Sequence, residues 1–168
     1  MAGFLDARPR VGYFYSGKTA NQLLKEHILT LMVKDYYSRP VVVQEDSSVY
    51  DAICSMFLED VGTLLVSDKE SFLSGILSRK DLLKAAMGNQ DLQAIPVSVV
   101  MTRMPNIITC GVEDSLYHAA SQMIRHQIDA LPVVHEVDSQ HFKYEIVGRI
   151  TKTTIAKAFV ELGENHSV

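Results

Sequence analysis

Gly75-Ile-Leu-Ser-Arg-Lys-Asp81 and Gly148-Arg-Ile-Thr-Lys-Thr-Thr154 are two versions of one turn, and they start 73 residues apart. Each follows a strand-like apolar run and opens a helical pattern. Outward from them the likeness continues in order. Thr63-Leu-Leu-Val66 is answered by Ala130-Leu-Pro-Val133, and Ser48-Val-Tyr-Asp-Ala52 by Ser115-Leu-Tyr-His-Ala119. Pro40-Val-Val-Val43 and Pro105-Asn-Ile-Ile108 complete the set. A repeat of this length is one supersecondary unit, too small for a large core of its own, so two copies are expected to pack face to face. The groove between them is the natural place for a ligand.

The 168 residues suffice for one sizeable core or two small ones joined across an interface. With 47% hydrophobic and 21% charged residues the chain has the composition of an ordinary globular protein. A net charge of −4 argues against a large sequence-independent nucleic-acid surface. Cys54 and Cys110 lie in apolar surroundings without CxxC spacing, which suits reduced, buried thiols rather than a metal site or a disulfide. No apolar run approaches the roughly 20 residues that span a bilayer, and the N-terminus lacks the order of a signal peptide. The expectation is a cytoplasmic protein without membrane contact.

The periodicities predict the element order β-α-β-β-α twice, an α/β (α+β) fold of mixed sheets covered by helices. Residues 1–18 carry turn signals between short apolar pieces and predict a hairpin over residues 3–15. Residues 19–33 read as an amphipathic linker helix with Leu23, Leu24, Ile28, Leu31 and Met32 on one stripe and Thr19 as its cap. The first repeat, residues 34–90, is expected to hold strands at Val41–Val43, Thr63–Ser67 and Phe72–Leu77, a helix from Ser48 to about Glu59, and a helix from Arg79 to Met87. The apolar face of the Ser48 helix reads as Val49, Ala52, Ile53, Met56 and Phe57. The second repeat, residues 91–163, is expected to hold strands at Asn106–Thr109, Ala130–Val134 and Tyr144–Ile150, and helices at Asp114–His126 and Lys152–Leu162. Residues 164–168 form a tail.

The repeated turn has two physical readings. Ser78 sits where strand gives way to helix, so its hydroxyl can cap the helix or meet a phosphate beside the first-turn N–H groups. Asp81, in that first turn, offers a carboxylate able to accept two hydroxyl hydrogen bonds from a ribose. The other reading is a capping box in which Ser78 and Asp81 satisfy each other's backbone donors. The second copy keeps a hydroxyl at Thr151 but has Thr154 in the carboxylate position. A helix cap would be mildly weakened by that exchange, whereas a ribose grip would lose its best acceptor.

The paired units, the Gly-apolar-apolar-Ser/Thr-x-x-Asp turn, Val100-Met-Thr-Arg-Met-Pro105 and Ile128-Asp-Ala-Leu-Pro-Val-Val134 together resemble a tandem pair of CBS domains over about residues 33–163. The resemblance implies one pseudo-twofold module that binds adenine nucleotides (ATP, ADP or AMP) as regulatory ligands in clefts between the repeats. It implies that Leu77, Ile107 and Ile128 sandwich the adenine, and that Asp129 and Ala130 line the base edge. Ser78 and Thr102 would reach phosphate, Asp81 would hold the ribose, and Arg79 and Arg103 would neutralise further phosphates. A second, weaker cleft would join Ile150, Thr151 and Thr154 to Tyr37, Ser38, Val42, Val61, Gly62 and Thr63, with Thr154 departing from the pattern. The resemblance also implies a homodimer through the CBS helices.

Gly12-Tyr-Phe-Tyr-Ser-Gly-Lys18, Val33-Lys-Asp-Tyr36, Asp51-Ala-Ile-Cys54, Met56-Phe-Leu-Glu-Asp-Val-Gly-Thr63 and Met101-Thr-Arg-Met-Pro105 further resemble the CcpN-type catabolite repressors of gluconeogenic genes. That family joins an N-terminal winged-helix DNA-binding domain to a CBS pair that senses ATP and ADP. Residues 1–18 would then be the remnant of the winged-helix hairpin, and DNA would be reached only through a domain absent from this chain. Gly12 to Thr19 formally completes a G-x-x-x-x-G-K-T phosphate loop, but its intervening residues are bulky and no strand precedes it. The six histidines show no metal-ligand spacing, and no nucleophile–base pairing accompanies Asp81. No metal, catalytic group or enzymatic activity is therefore expected. A dimerisation scaffold with empty clefts, or a small nucleotide hydrolase using Asp81 as base, are the rival readings.

Overall fold

The structure, a computed structural model, describes residues 20–88 and 91–164. The hairpin expected over residues 3–15 and the Thr19 cap lie outside these residues. Helix α1 (Ala20–Thr30) and the short α2 (Val33–Tyr36) lead into the first repeat. That repeat contains β1 (Val42–Gln44), α3 (Val49–Leu58), β2 (Thr63–Ser67), β3 (Leu73–Ser78) and α4 (Arg79–Ala86). The second begins with α5 (Val97–Val100) and β4 (Thr102–Arg103). It continues through β5 (Cys110–Gly111), α6 (Leu116–His126), β6 (Ala130–Asp138), β7 (Lys143–Thr151) and α7 (Lys152–Glu164). The strands form a four-stranded sheet, β1-β2-β3-β4, and a three-stranded sheet, β5-β6-β7. In both, the first pair is parallel and the next antiparallel. No helix among the described residues is long and apolar enough to cross a membrane.

Local chemistry sets the helix starts in matched pairs. Ser48 Oγ accepts the Asp51 N–H at 3.0 Å, and Ser115 Oγ accepts the His118 N–H at 3.1 Å. Val49, Ala52 and Met56 then fall on the buried face of α3, and Leu116, Ala119 and Met123 on that of α6. Both helices give way to a left-handed residue, Asp60 (φ 47°) and Gln127 (φ 54°), which turns the chain into β2 and β6. Phe57, expected in the core, is 83% exposed. One position beyond Met56, it swings about 100° off the buried stripe.

The lead-in of each repeat is built into the other. Val33 is fully buried in the second repeat's core with Leu116, Ala119, Leu131 and Ile150. Val97 and Met101 are buried in the first repeat's core with Val49, Met56, Leu64 and Leu77. The backbone crosses in the same sense. β4 adds to the first sheet through Gly75↔Arg103 and Ile76↔Thr102, while Ser38 bridges Arg149 of β7. A third cluster of Leu65, Leu73, Ile107 and Val134, flanked by Ile76, Met104, Tyr144 and Ile146, joins the two sheets.

This exchange explains where the sequence expectations depart from the structure. The predicted helix over 19–33 ends at Thr30 because Leu31, Met32 and Val33 pair with residues 114–116 instead. The Leu31 carbonyl accepts the Leu116 N–H at 2.7 Å and the Val33 N–H donates to Asp114 at 2.9 Å. The strand predicted at Asn106–Thr109 is replaced by pairing on both sides of it, at Thr102–Arg103 and Cys110–Gly111. Pro105 cannot donate to a ladder, and the Asn106 N–H turns back to the Arg103 carbonyl at 2.9 Å.

The two motif glycines serve the crossing. A Cβ on Gly75 would lie 2.2 Å from Met101 Sδ, and one on Gly148 would lie 2.3 Å from Tyr37 Cδ2. Neither needs a left-handed backbone; each leaves room for a side chain of the other repeat's lead-in. Met101 is itself 8% exposed, so Gly75→Ala forces the core to repack. The variant is expected to lose about 1–3 kcal/mol of stability, read as a lower urea midpoint at unchanged m-value. Gly163→Ala, where a Cβ meets nothing within 4 Å, is the neutral or mildly stabilising control.

Candidate functional site

Because each lead-in crosses to the opposite repeat, both clefts have walls from two units. The first, of about 670 Å³, is lined by Ile76, Ser78, Arg79, Lys80 and Asp81 from the first repeat and by Thr102, Asn106, Ile107, Ile128, Asp129 and Ala130 from the second. Ile107 and Ala130 are buried, Ile76 and Ile128 half-buried, and together they give the cleft its apolar surface.

At its mouth the Ser78 N–H and Oγ–H donate to Asp81 Oδ2 at 2.9 and 2.5 Å. The Asp81 N–H returns a bond to Ser78 Oγ at 3.3 Å, so the capping box is fully formed. Asp81 Oδ1 accepts no hydrogen bond among the described residues. The box therefore fixes the carboxylate while leaving one oxygen for something else. Arg79 turns back on its own repeat, donating to the Val61 carbonyl at 3.3 Å and lying 3.8 Å from Asp60 Oδ1.

The second cleft, of about 800 Å³, is lined by Asp35, Tyr36 and Ser38 from the lead-in and by Asp60, Val61, Gly62 and Thr63 from the α3–β2 turn. Its other wall is Asp129, Ala130, Arg149, Thr151, Lys152, Thr153, Thr154, Lys157 and Glu161. Thr151 and Thr154 rebuild the box with hydroxyls. The Thr151 N–H donates to Thr154 Oγ1 and the Thr154 N–H to Thr151 Oγ1, both at 3.2 Å, with the two hydroxyls 3.1 Å apart. Thr154 is 9% exposed, so its single oxygen is engaged and covered. Lys152 pairs with Asp129 at 2.5 Å on an exposed rim. Burial, then the hydrogen bond to Glu161, holds the Tyr36 phenol above its ordinary pKa, and burial alone lowers that of Arg149.

Of the residues the sequence reading assigned to the first cleft, Leu77 and Arg103 do not line it. Leu77 is fully buried in the first core, and its neighbour Ile76 faces the cleft instead. Arg103 points back to donate to the Ser98 carbonyl at 2.7 Å. Of those assigned to the second, Ile150 is likewise fully buried, with Arg149 facing the cleft. Tyr37 packs over Gly148, and Val42 lines a separate, smaller pocket with Arg39, Glu59 and Arg149. The period-2 alternation of a strand carries the signal that was missed: Leu77 shares the buried face of β3 with Leu73 and Gly75, and Ile150 is the apolar member of its pair with Arg149. Lys80, Asn106 and Gln127 also border the first cleft, and nothing in their local sequence marks them.

Two β-α-β-β-α units with exchanged lead-ins and a capped turn at each composite cleft define a CBS-domain pair. The chain belongs to the CBS domain family, which matches residues 33–88 and 97–161. It is 56% identical over 165 residues to the transcriptional repressor CcpN of Bacillus subtilis (strain 168), a match spanning 98% of this chain and 76% of that protein. Among solved structures it is similar to the CBS domain pair of protein MJ0100 in complex with 5′-methylthioadenosine and S-adenosyl-L-methionine. The TM-score is 0.67 at 26% identity, covering 78% of this chain and 97% of that one. It is equally similar to an acetoin utilization protein (AcuB) structure from Vibrio cholerae, with TM-score 0.67 at 27% identity over 82% and 98% of the two chains.

Removing the hydroxyl that begins the box tests its contribution to the fold. Ser78→Ala leaves the Asp81 N–H without its side-chain acceptor and is expected to cost about 0.5–2 kcal/mol, measured by thermal or urea unfolding of the ligand-free protein.

Proposed function

We propose that this chain is the adenine-nucleotide-sensing regulatory module of a cytoplasmic transcriptional repressor of gluconeogenic genes, with ATP or ADP held in the first cleft. The observation that carries the reading is Asp81 Oδ1, a carboxylate oxygen fixed by the capping box yet unpartnered among the described residues, at the mouth of an apolar inter-repeat cleft. In this reading Ile76, Ile107 and Ile128 flank the adenine, and Ala130 meets the base edge through its backbone. Asp81 Oδ1 accepts from the ribose hydroxyls. Ser78, Thr102 and Lys80 meet the phosphates beside the first turn of α4, where the helix dipole favours negative charge. The adenosyl ligands of the MJ0100 pair support the ligand class, and the similarity to CcpN supports the regulatory role. Signalling would be a population shift, in which nucleotide favours one arrangement of the two repeats over another.

The fully formed box gives the empty-scaffold reading its own support, because a pure cap would look the same. The second repeat supplies the variant that separates them. Asp81→Thr copies the Thr151–Thr154 box, which keeps both capping bonds while removing the extra oxygen. Titration calorimetry with ATP, ADP and AMP is expected to show at least a tenfold loss of affinity, about 1.4 kcal/mol, at little change in ligand-free stability. Unchanged isotherms would remove Asp81 from nucleotide binding.

We further propose a homodimer through the helical faces. Phe57 on α3 is 83% exposed and Met87, at the end of α4, 85%. The matching positions of the second repeat, Ile124 on α6 and Val160 on α7, are 78% and 56% exposed. Large exposed apolar side chains grouped on two faces of one molecule mark interaction surfaces. Light scattering of Phe57→Glu and Ile124→Glu is expected to show monomers where the parent chain gives dimers.

A further inference from the structure

The clefts differ at several equivalent lining positions. Two of the differences point the same way, while a third, Lys80 against Thr153, leaves the second cleft one cation poorer there. Where the first has the apolar Ile76, the second has Arg149; where the first has Asp81, the second has Thr154. Arg149 is held in place by its backbone, with its N–H donating to the Ser38 carbonyl at 3.0 Å and its carbonyl accepting the Ser38 N–H at 2.9 Å. Its side chain is poorly served. Nε is buried and bonds to nothing, and the one side-chain hydrogen bond is a long one, Nη1 to the Thr63 carbonyl at 3.5 Å. Among the described residues no carboxylate lies within ion-pair distance of the guanidinium.

A partly desolvated cation without a counter-charge is a standing cost, and native folds seldom leave one unexplained. Four carboxylates border the cleft: Asp35, which makes no ion pair with Arg149, and three that are committed elsewhere. Asp129 is tied to Lys152, Glu161 to the Tyr36 hydroxyl, and Asp60 lies beside Arg79. Lys157, on the same helix as the Thr154 box, also has no partner among the described residues and borders the same space. The first turn of the 13-residue α7 opens there as well, adding a positive helix end.

We infer that the second cleft is a phosphate site rather than a second adenosine site, with Arg149 as the group that grips the anion and Lys157 assisting it. The guanidinium fork matches two phosphate oxygens. The same substitution removes the apolar platform for a base, and Thr154 has no second oxygen for a ribose diol. The ligand is a phosphate group, either free or carried on a small molecule that is not a nucleoside. This assignment does not depend on nucleotide occupying the first cleft.

Inorganic phosphate is the probe, titrated into the whole chain by calorimetry and followed by thermal unfolding, with and without saturating ATP, beside Arg149→Ile and Lys157→Gln. The expected result is one phosphate per chain, a raised melting temperature, and an affinity within twofold whether or not ATP is present. Arg149→Ile, which restores the residue of the first repeat, is expected to abolish the phosphate response and to melt no lower than the parent in phosphate-free buffer. Its ATP affinity should stay within twofold of the parent's. Lys157→Gln, at an exposed position, is expected to weaken phosphate at least threefold, and it decides the matter if Arg149→Ile does not fold. A glucose 6-phosphate arm separates a carried phosphate from a free one: tighter binding than inorganic phosphate assigns the carried form, equal or weaker binding the free ion. The inference is overturned if phosphate does not bind, if Arg149→Ile or Lys157→Gln binds it as the parent does, if ATP displaces it, or if AMP fills a second site that Arg149→Ile removes. Failure of nucleotide binding alone, with phosphate retained, would overturn the sensor reading and leave this one standing.

Discussion

The interaction on which the rest of this structure depends is the exchange of lead-in segments between the repeats. Val33 completes the core of the second repeat, and Val97 and Met101 complete that of the first. Each repeat alone would lose part of its buried apolar set and one edge pairing of its sheet, which is a large fraction of a core this small. Folding of the two units is thereby linked through the chain, and the clefts are a consequence. Ser38 lies beside Arg149, and Thr102 beside Ile76, because those residues sit in the exchanged segments. The glycines of the repeated turn belong to the same device, since Met101 and Tyr37 occupy the volume that a Cβ would fill.

A second constraint lies in how the capping box is built. Both copies satisfy the same two backbone donors, one with serine and aspartate and the other with two threonines. As helix caps they are nearly equivalent. As ligand contacts they are not, because a carboxylate keeps a whole oxygen after completing the box and a hydroxyl has none to spare. The two readings of the turn offered by the sequence are therefore compatible at Asp81, where one oxygen serves the helix and the other faces the cleft. At Thr154 only the structural role survives, and the neighbouring exchange of Ile76 for Arg149 changes the chemistry of the wall as well.

Local chemistry was readable in the sequence, and long-range pairing was not. Ser48, Ser78 and Ser115 announce their helices through contacts three residues away, and the Thr63–Ser67 strand falls where a compact apolar run predicts it. The linker helix ends three residues short of its periodicity because Leu31 to Val33 are claimed by residues 114–116, more than 80 positions on. The strand at Asn106–Thr109 failed for a related reason, since the residues before it pair with β3 of the other repeat. Strand alternation turns Leu77 and Ile150 inward, so the cleft residues are their neighbours Ile76 and Arg149. Arg149 was the least legible of all, because its meaning lies in the absence of a partner, which no linear pattern displays.

The composite walls also determine where an occupant of either cleft could be felt. Gly62, Thr63, Asp129 and Ala130 border both, so the two sites share the turns that enter β2 and β6. Those turns are each fastened to a helix start: the Arg79 N–H donates to the Gly62 carbonyl at 3.2 Å, and the Lys152 N–H to that of Asp129 at 3.1 Å. The clefts thus share walls without sharing their distinguishing groups: Asp81 borders the first alone, and Arg149 and Lys157 the second alone. Only the second cleft, however, has residues 35, 36 and 38 in its wall, and these continue directly from α1, which packs on α6. Of the two clefts, it is the second that is walled by the segment leading back toward the N-terminus.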